Sequence, residues 1–156
     1  IVPRHPQRFD AVADAIAAAG LSVSRRSSWA AAPEPADVWL GDSLGEMSAY
    51  YALADVALLG GSFAPLGGQN LIEAAACGCP VLMGPHTFNF AQAGDLAEAA
   101  GAARRVPDMA AGVATARELL ADAAARHAMQ DAGVAFAGAH RGAAVRTAEA
   151  TASLLN

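Results

Sequence analysis

Apolar and polar positions along the chain follow two periods that replace one another. Short apolar runs bounded by Gly, Pro or Asp recur at 1–2, 21–26, 37–40, 55–59, 80–83 and 102–106 and predict strands. Between them, apolar residues return at helical spacing over 6–19, 44–54, 71–77 and 90–100. Gly20 reads as a helix stop, and 30–35, rich in Ala and Pro, as a loop. Beyond Val106 the pattern predicts two or three helices, around 116–138 and 142–155. This β-α alternation implies a parallel sheet with helices on both faces and right-handed crossovers, an α/β, Rossmann-like doubly wound fold. Ligands of such sheets sit beyond the carboxyl ends of the strands. The loops after Val2, Leu40, Leu59 and Met83 therefore carry the expected site.

Composition narrows the class. With 156 residues, the chain suits one domain with a real core and no internal repeat. Hydrophobic residues make up 54% and charged ones 16%, yet no run reaches the roughly 18 uncharged apolar residues of a membrane span, so a soluble domain is expected. Much of the apolar content is alanine, which favours helices packed closely on a sheet. A net charge of -5 argues against a nucleic-acid face, although Arg4, Arg8, Arg25, Arg26, Arg104 and Arg105 can form local positive spots. Cys77 and Cys79, beside Gly78 and Pro80, are too close for an ordinary disulfide and read as reduced and buried, which fits a cytoplasmic setting. The sequence opens on Ile1-Val2-Pro3 as if a strand were already under way, so it is expected to be part of a longer protein.

Four stretches carry candidate chemistry. In "GDSLGEM", Ser43 and Glu46 have capping-box spacing, and the alternative is a helix start that contributes to a binding rim. In "LLGGSFAPLGGQNLIEAA", Gly60-Gly61 and Gly67-Gly68 bracket a loop that ends at a helix start, where Asn70 and Glu73 repeat the capping pattern. Glycines there can present backbone N–H groups to a phosphate, and a carboxylate one turn inside can reach ribose hydroxyls. Neither the dinucleotide nor the P-loop fingerprint is present. "PRHP" sets Arg4 and His5 between two prolines, where they are either solvated or able to fork onto a phosphate. "MGPHTFNF" places His86, Thr87 and Asn89 after a buried strand, with Phe88 and Phe90 as anchors into the core. No Asp-x-Asp pair or His/Cys cluster marks a metal site, and no nucleophile stands with a matched base.

Taken in order, PRHP, GDSxGEM, GGSxxPxGGxN and GPHTFNF resemble the C-terminal half of the bacterial lipid A Kdo (3-deoxy-D-manno-octulosonic acid) transferases. The resemblance is strong over about 2–106 and general in the terminal helices. Gln69 stands where that family commonly has His, and Ala74 where Pro often follows the Glu. The resemblance implies the donor half of a two-domain GT-B glycosyltransferase that moves Kdo from CMP-Kdo to a lipid A precursor with inversion. The setting is the cytoplasmic face of the inner membrane. The catalytic base would be a carboxylate on the N-terminal domain, so the chain alone is expected to be inactive. No cofactor and no metal are implied; the partners are the donor CMP-Kdo and, through the other domain, the lipid acceptor and the membrane. Residue by residue, Arg4 with His5 would meet the donor phosphate or sugar carboxylate. Gly41, Ser43, Gly45 and Glu46 would border the cytosine. Gly60, Gly61, Ser62, Gly67, Gly68 and Asn70 would line the phosphate, Glu73 would hold ribose hydroxyls, and His86 and Asn89 would close the site near the sugar.

Two other readings stay open at this point: a GT-B domain for a UDP-sugar transferase or epimerase, and a non-catalytic nucleotide-binding or interaction module. The Ala-rich terminal helices pack on their own core or expose a face prone to self-association.

Overall fold

Residues 1–139 and Thr151 are described by the computed structural model of the chain. It divides into two compact units, Ile1–Met47 and the chain from Ser48 onward. Where the alternation predicts one sheet, the ladder bonds form two, both parallel.

In the first unit, a 3-10 turn at Pro6–Arg8 leads into α1 (Phe9–Ala18), which buries Ala13 and Ile16. Strands β1 (Val23–Arg25) and β2 (Val38–Leu40) pair in parallel with Arg25 opposite Leu40. Ile1 runs along β2, its N–H group donating to Trp39 O and its carbonyl accepting from Gly41 N.

The second unit holds α2 (Met47–Leu53, entered from the first), β3 (Ala57–Leu58), α3 (Leu71–Ala76), β4 (Val81–Met83), α4 (Ala91–Ala99), β5 (Ala103–Arg105), α5 (Met109–Ala121) and α6 (Ala123–Ala139). Strand order is β3-β4-β5. All three residues of β4 are buried, because the sheet is covered on both faces. Val81 and Met83 join Leu71, Ala74, Ala75 and Phe136, whereas Leu82 packs with Leu119 and Met129. Alanine sets the spacing of these layers. A Cβ on Gly133 of α6 would stand 3.3 Å from Ala75 O of α3, a close approach that only small residues permit.

α3 ends in a Schellman turn: Gly78, at φ 69°, donates to Ala75 O, and Cys79 donates to Ala74 O. The same pair of bonds closes α1 at Gly20 and Leu21, and α4 at Gly101 and Ala102. Each helix is thus turned back within two residues toward the strand that follows it.

Two of the differences from the sequence expectation have a local backbone cause. α2 begins at Met47, not at 44, because Gly45 takes φ 81° and breaks the helical path. The expected helix over 116–138 is two helices, since Asp122 is extended (φ -111°, ψ 90°) and its carboxylate accepts from Ala125 N at 3.0 Å. The helix expected over 142–155 lies, Thr151 aside, outside the described residues. Among the described residues no helix is long and apolar enough to cross a membrane.

Candidate functional site

In the first unit the strand ends build a buried ionic cluster. The register that sets Arg25 opposite Leu40 brings the residues just beyond each strand together. Asp42, its side chain only 2% exposed, accepts from Ser27 N at 2.8 Å, Ser27 Oγ at 2.6 Å and Arg25 Nε at 2.7 Å. Arg25 also reaches Asp10. Burial alone would raise the Asp42 carboxyl. The bonds from Ser27 and Arg25 outweigh it and hold the group below its ordinary range. Next to it, Arg26 lies 5.6 Å from the Trp29 ring centre and donates to Glu46 Oε1 at 2.8 Å. Ser43 Oγ donates to Glu46 Oε2. The Ser43–Glu46 spacing thus brings the two side chains together ahead of α2. Gly41 is buried, and Arg4 and His5 are exposed.

In the second unit the loops after β3 and β4 interlock. Ser62 is fully buried, and its hydroxyl donates to Leu59 O at 2.6 Å and accepts from Gly84 N at 2.8 Å. His86 N donates to Ser62 O at 3.0 Å, Asn89 N to Gly67 O at 3.2 Å, and Asn89 Nδ2 to Leu66 O at 3.3 Å. Gly61, Gly67 and Gly68 have φ of 74°, 87° and 78°, and Gly68 N donates to Gly61 O. A Cβ at Gly67 would fall 2.2 Å from Asn89 Nδ2. Asn70 caps α3, its Oδ1 accepting from Ile72 N at 3.1 Å, and Glu73 is exposed one turn on. Burial raises the Tyr51 hydroxyl, and the Glu73 charge adds to it. Cys79 is buried and Cys77 half-buried; both are free, and burial first, then the neighbouring Cys77, pushes the Cys79 thiol up to about 11. Among the described residues no group of three His, Cys, Asp or Glu is placed to hold a metal ion.

No family model matches the chain. By sequence it is 57% identical over 151 residues to the 3-deoxy-D-manno-octulosonic acid transferase of Bordetella pertussis, across 96% of this chain and 35% of that protein. The transferase of the same name from Haemophilus influenzae is 44% identical over 90 residues, 58% of this chain and 21% of that one. Among solved structures, the C-terminal CMP-Kdo binding domain of WaaA from Acinetobacter baumannii matches with a TM-score of 0.80 at 31% identity, covering 86% of this chain and 72% of that one. The chain belongs to the 3-deoxy-D-manno-octulosonic acid transferase family. It spans about a third of the length of the B. pertussis relative. Its parallel α/β architecture is that of the C-terminal part of a GT-B fold.

Several residues expected from the Kdo transferase motifs also have a place in the packing of the loops. The Ser62 hydroxyl bonds to Leu59 O and Gly84 N and ties two loops together. Gly67 and Gly68 are buried, and the chain at both comes close to the 86–89 segment. Gly60 and Gly61 retain exposure, as do Asn70, Glu73 and Asn89, with His86 half-buried. Sequence reasoning missed the buried Asp42 cluster and the bond from Gly84 N to Ser62. The strand register would have found Asp42, since it aligns the ends of β1 and β2.

Proposed function

We propose that this chain is the donor-binding part of an inverting Kdo transferase and holds CMP-Kdo. The observation that supports it most directly is the likeness to the CMP-Kdo binding domain of WaaA, with a TM-score of 0.80 at 31% identity. In this reading, the second unit presents Gly60, Gly61 and the start of α3 to the nucleotide phosphate, with Glu73 on the ribose and the His86–Asn89 loop toward the sugar. The leaving CMP carries a single phosphate. Backbone N–H groups and one or two cations balance the charge that develops on it, so the reading calls for no metal. The acceptor hydroxyl attacks the anomeric carbon of Kdo as the bond to the CMP phosphate oxygen breaks, and its proton passes to a carboxylate on a part of the protein outside this chain. That part also brings the acceptor, a lipid A precursor at the inner membrane. Without it, proximity and base catalysis are both missing and the chain alone is inactive.

Parallel titrations with CMP and UDP, followed by amide NMR shifts, test this. CMP is expected to shift amides from Gly60 to Glu73, and Glu73→Ala to weaken it about tenfold, the loss of a hydrogen bond to a charged group. A preference for UDP moves the chain to another donor class; silence with both nucleotides sinks nucleotide binding by this chain as it stands.

A further inference from the structure

We propose that Arg105 is a positioning residue for the donor site: clamped by α4, it holds Thr87 and so fixes the 84–89 loop in the shape that receives the sugar. This rests on the donor-binding reading. Arg105 closes β5, and each part of its guanidinium has its own partner. Nη1 donates to Thr87 Oγ1 at 2.8 Å and approaches Gly84 O at 3.5 Å. Nη2 donates to Asp95 Oδ1 at 2.9 Å and Nε to Glu98 Oε2 at 3.2 Å, both on α4. The carboxylates aim the fork, and the remaining nitrogen meets Thr87, which is buried. Gly94 of α4 leaves room for this approach: a Cβ there would stand 3.4 Å from Arg105 Nη2 and 3.5 Å from Thr87 Oγ1.

The placement matters because of where the loop's other bonds go. Gly84, His86 and Asn89 are all tied to the glycine loop. Arg105 ties the same loop from β5 and α4. With both tethers the residues between Gly84 and Asn89 are held on two sides; with one, they can swing as a unit with the glycine loop. A lysine carries its three donors on one nitrogen at the end of a flexible stem and lacks the planar fork whose separate nitrogens meet Thr87, Asp95 and Glu98 here.

A double-mutant cycle on this chain tests the link, with CMP and CMP-Kdo as probes. Arg105→Met and Thr87→Val are each expected to weaken CMP-Kdo about tenfold while leaving CMP within about twofold. Thr87→Ser should bind like the parent. The double variant should lose no more than either single one, because the two residues act through one bond. Additive losses, or a Thr87→Val variant that binds normally, overturn the proposal. If the parent chain answers neither CMP nor CMP-Kdo, the donor-binding reading fails on its own, and amide exchange then decides the link. Exchange at His86 and Asn89 should quicken in both variants while Leu82 in β4 stays protected; unchanged exchange at His86 and Asn89 overturns it.

Discussion

Gly84→Ala is expected to destabilise the unit from Ser48 onward by about 3 kcal/mol, the upper range for forcing a methyl group into a packed site. The added Cβ would lie 2.4 Å from Ser62 O, 2.7 Å from Ser62 C and 2.9 Å from Phe63 Cα. All three are backbone atoms, so no side-chain rotation relieves the clash. Moving Ser62 aside breaks the bond from Gly84 N to its hydroxyl and the bond from His86 N to its carbonyl. Gly67→Ala is the informative contrast. There the crowded atoms belong to the Asn89 and Phe88 side chains, which are exposed and can turn away. The remaining cost is the left-handed backbone at φ 87°, about 1–2 kcal/mol. Urea unfolding of the two variants measures this as a shift of midpoint at constant slope. A Gly84→Ala chain within 1 kcal/mol of the parent, a bound well below the range for overpacking, would mean that the two loops are not held as closely as described.

Asp42→Asn is expected to cost the first unit about 2 kcal/mol at neutral pH, the usual loss when a hydrogen bond to a charged group is replaced. An asparagine can still accept from Ser27, but it lacks the charge that meets Arg25 and turns an amide donor into the cluster. The effect depends on pH with a definite sign. The folded carboxyl titrates below its unfolded value, so its contribution is fully present above the ordinary carboxylate range near pH 4 and disappears as pH falls through the lower folded value. The stability gap between parent and variant should therefore close on acidification. Trp29 and Trp39 are the only tryptophans of the chain and both lie in this unit, with ring centres 5.6 Å apart. Their fluorescence reports its unfolding separately. A gap that does not narrow as pH falls below the ordinary carboxylate range would contradict the role given to the Asp42 charge.

The layer order was legible in the sequence because the two hydrophobic periods are clean: the all-apolar run at β4 reads as a strand buried on both faces, and Gly20 reads as a stop. What escaped was anything decided by contact between loops distant in sequence. Four glycines in one loop read as a possible phosphate cradle, yet the glycine crowded by backbone on all three sides is Gly84, in the neighbouring loop, where only the contact with Ser62 and Phe63 makes a small residue necessary. Ser62 enters the expected site through the Kdo transferase resemblance alone, and its tie between the loops after β3 and β4 depends on the closeness of those strand ends. Asp42 is a similar case, since its partners Arg25 and Ser27 sit on the neighbouring strand and the turn after it. The Asp122 break was missed because alanine on either side continues the helical pattern through it.

The two ends of the strands differ in the lengths of chain their contacts enclose. The turns that lead from α1, α3 and α4 into the next strands are closed by bonds between residues only a few positions apart. The loops that leave the strands are closed by bonds spanning 22 residues from Ser62 to Gly84, 23 from Leu66 to Asn89 and 18 from Thr87 to Arg105. Short closures cost little chain entropy and need nothing else in place, whereas long ones require the intervening strand and helix to have formed. The turns into the strands are thus secured by neighbouring residues alone, whereas the loops that leave β3 and β4 hold their shape only while the strand and helix between their ends are in place.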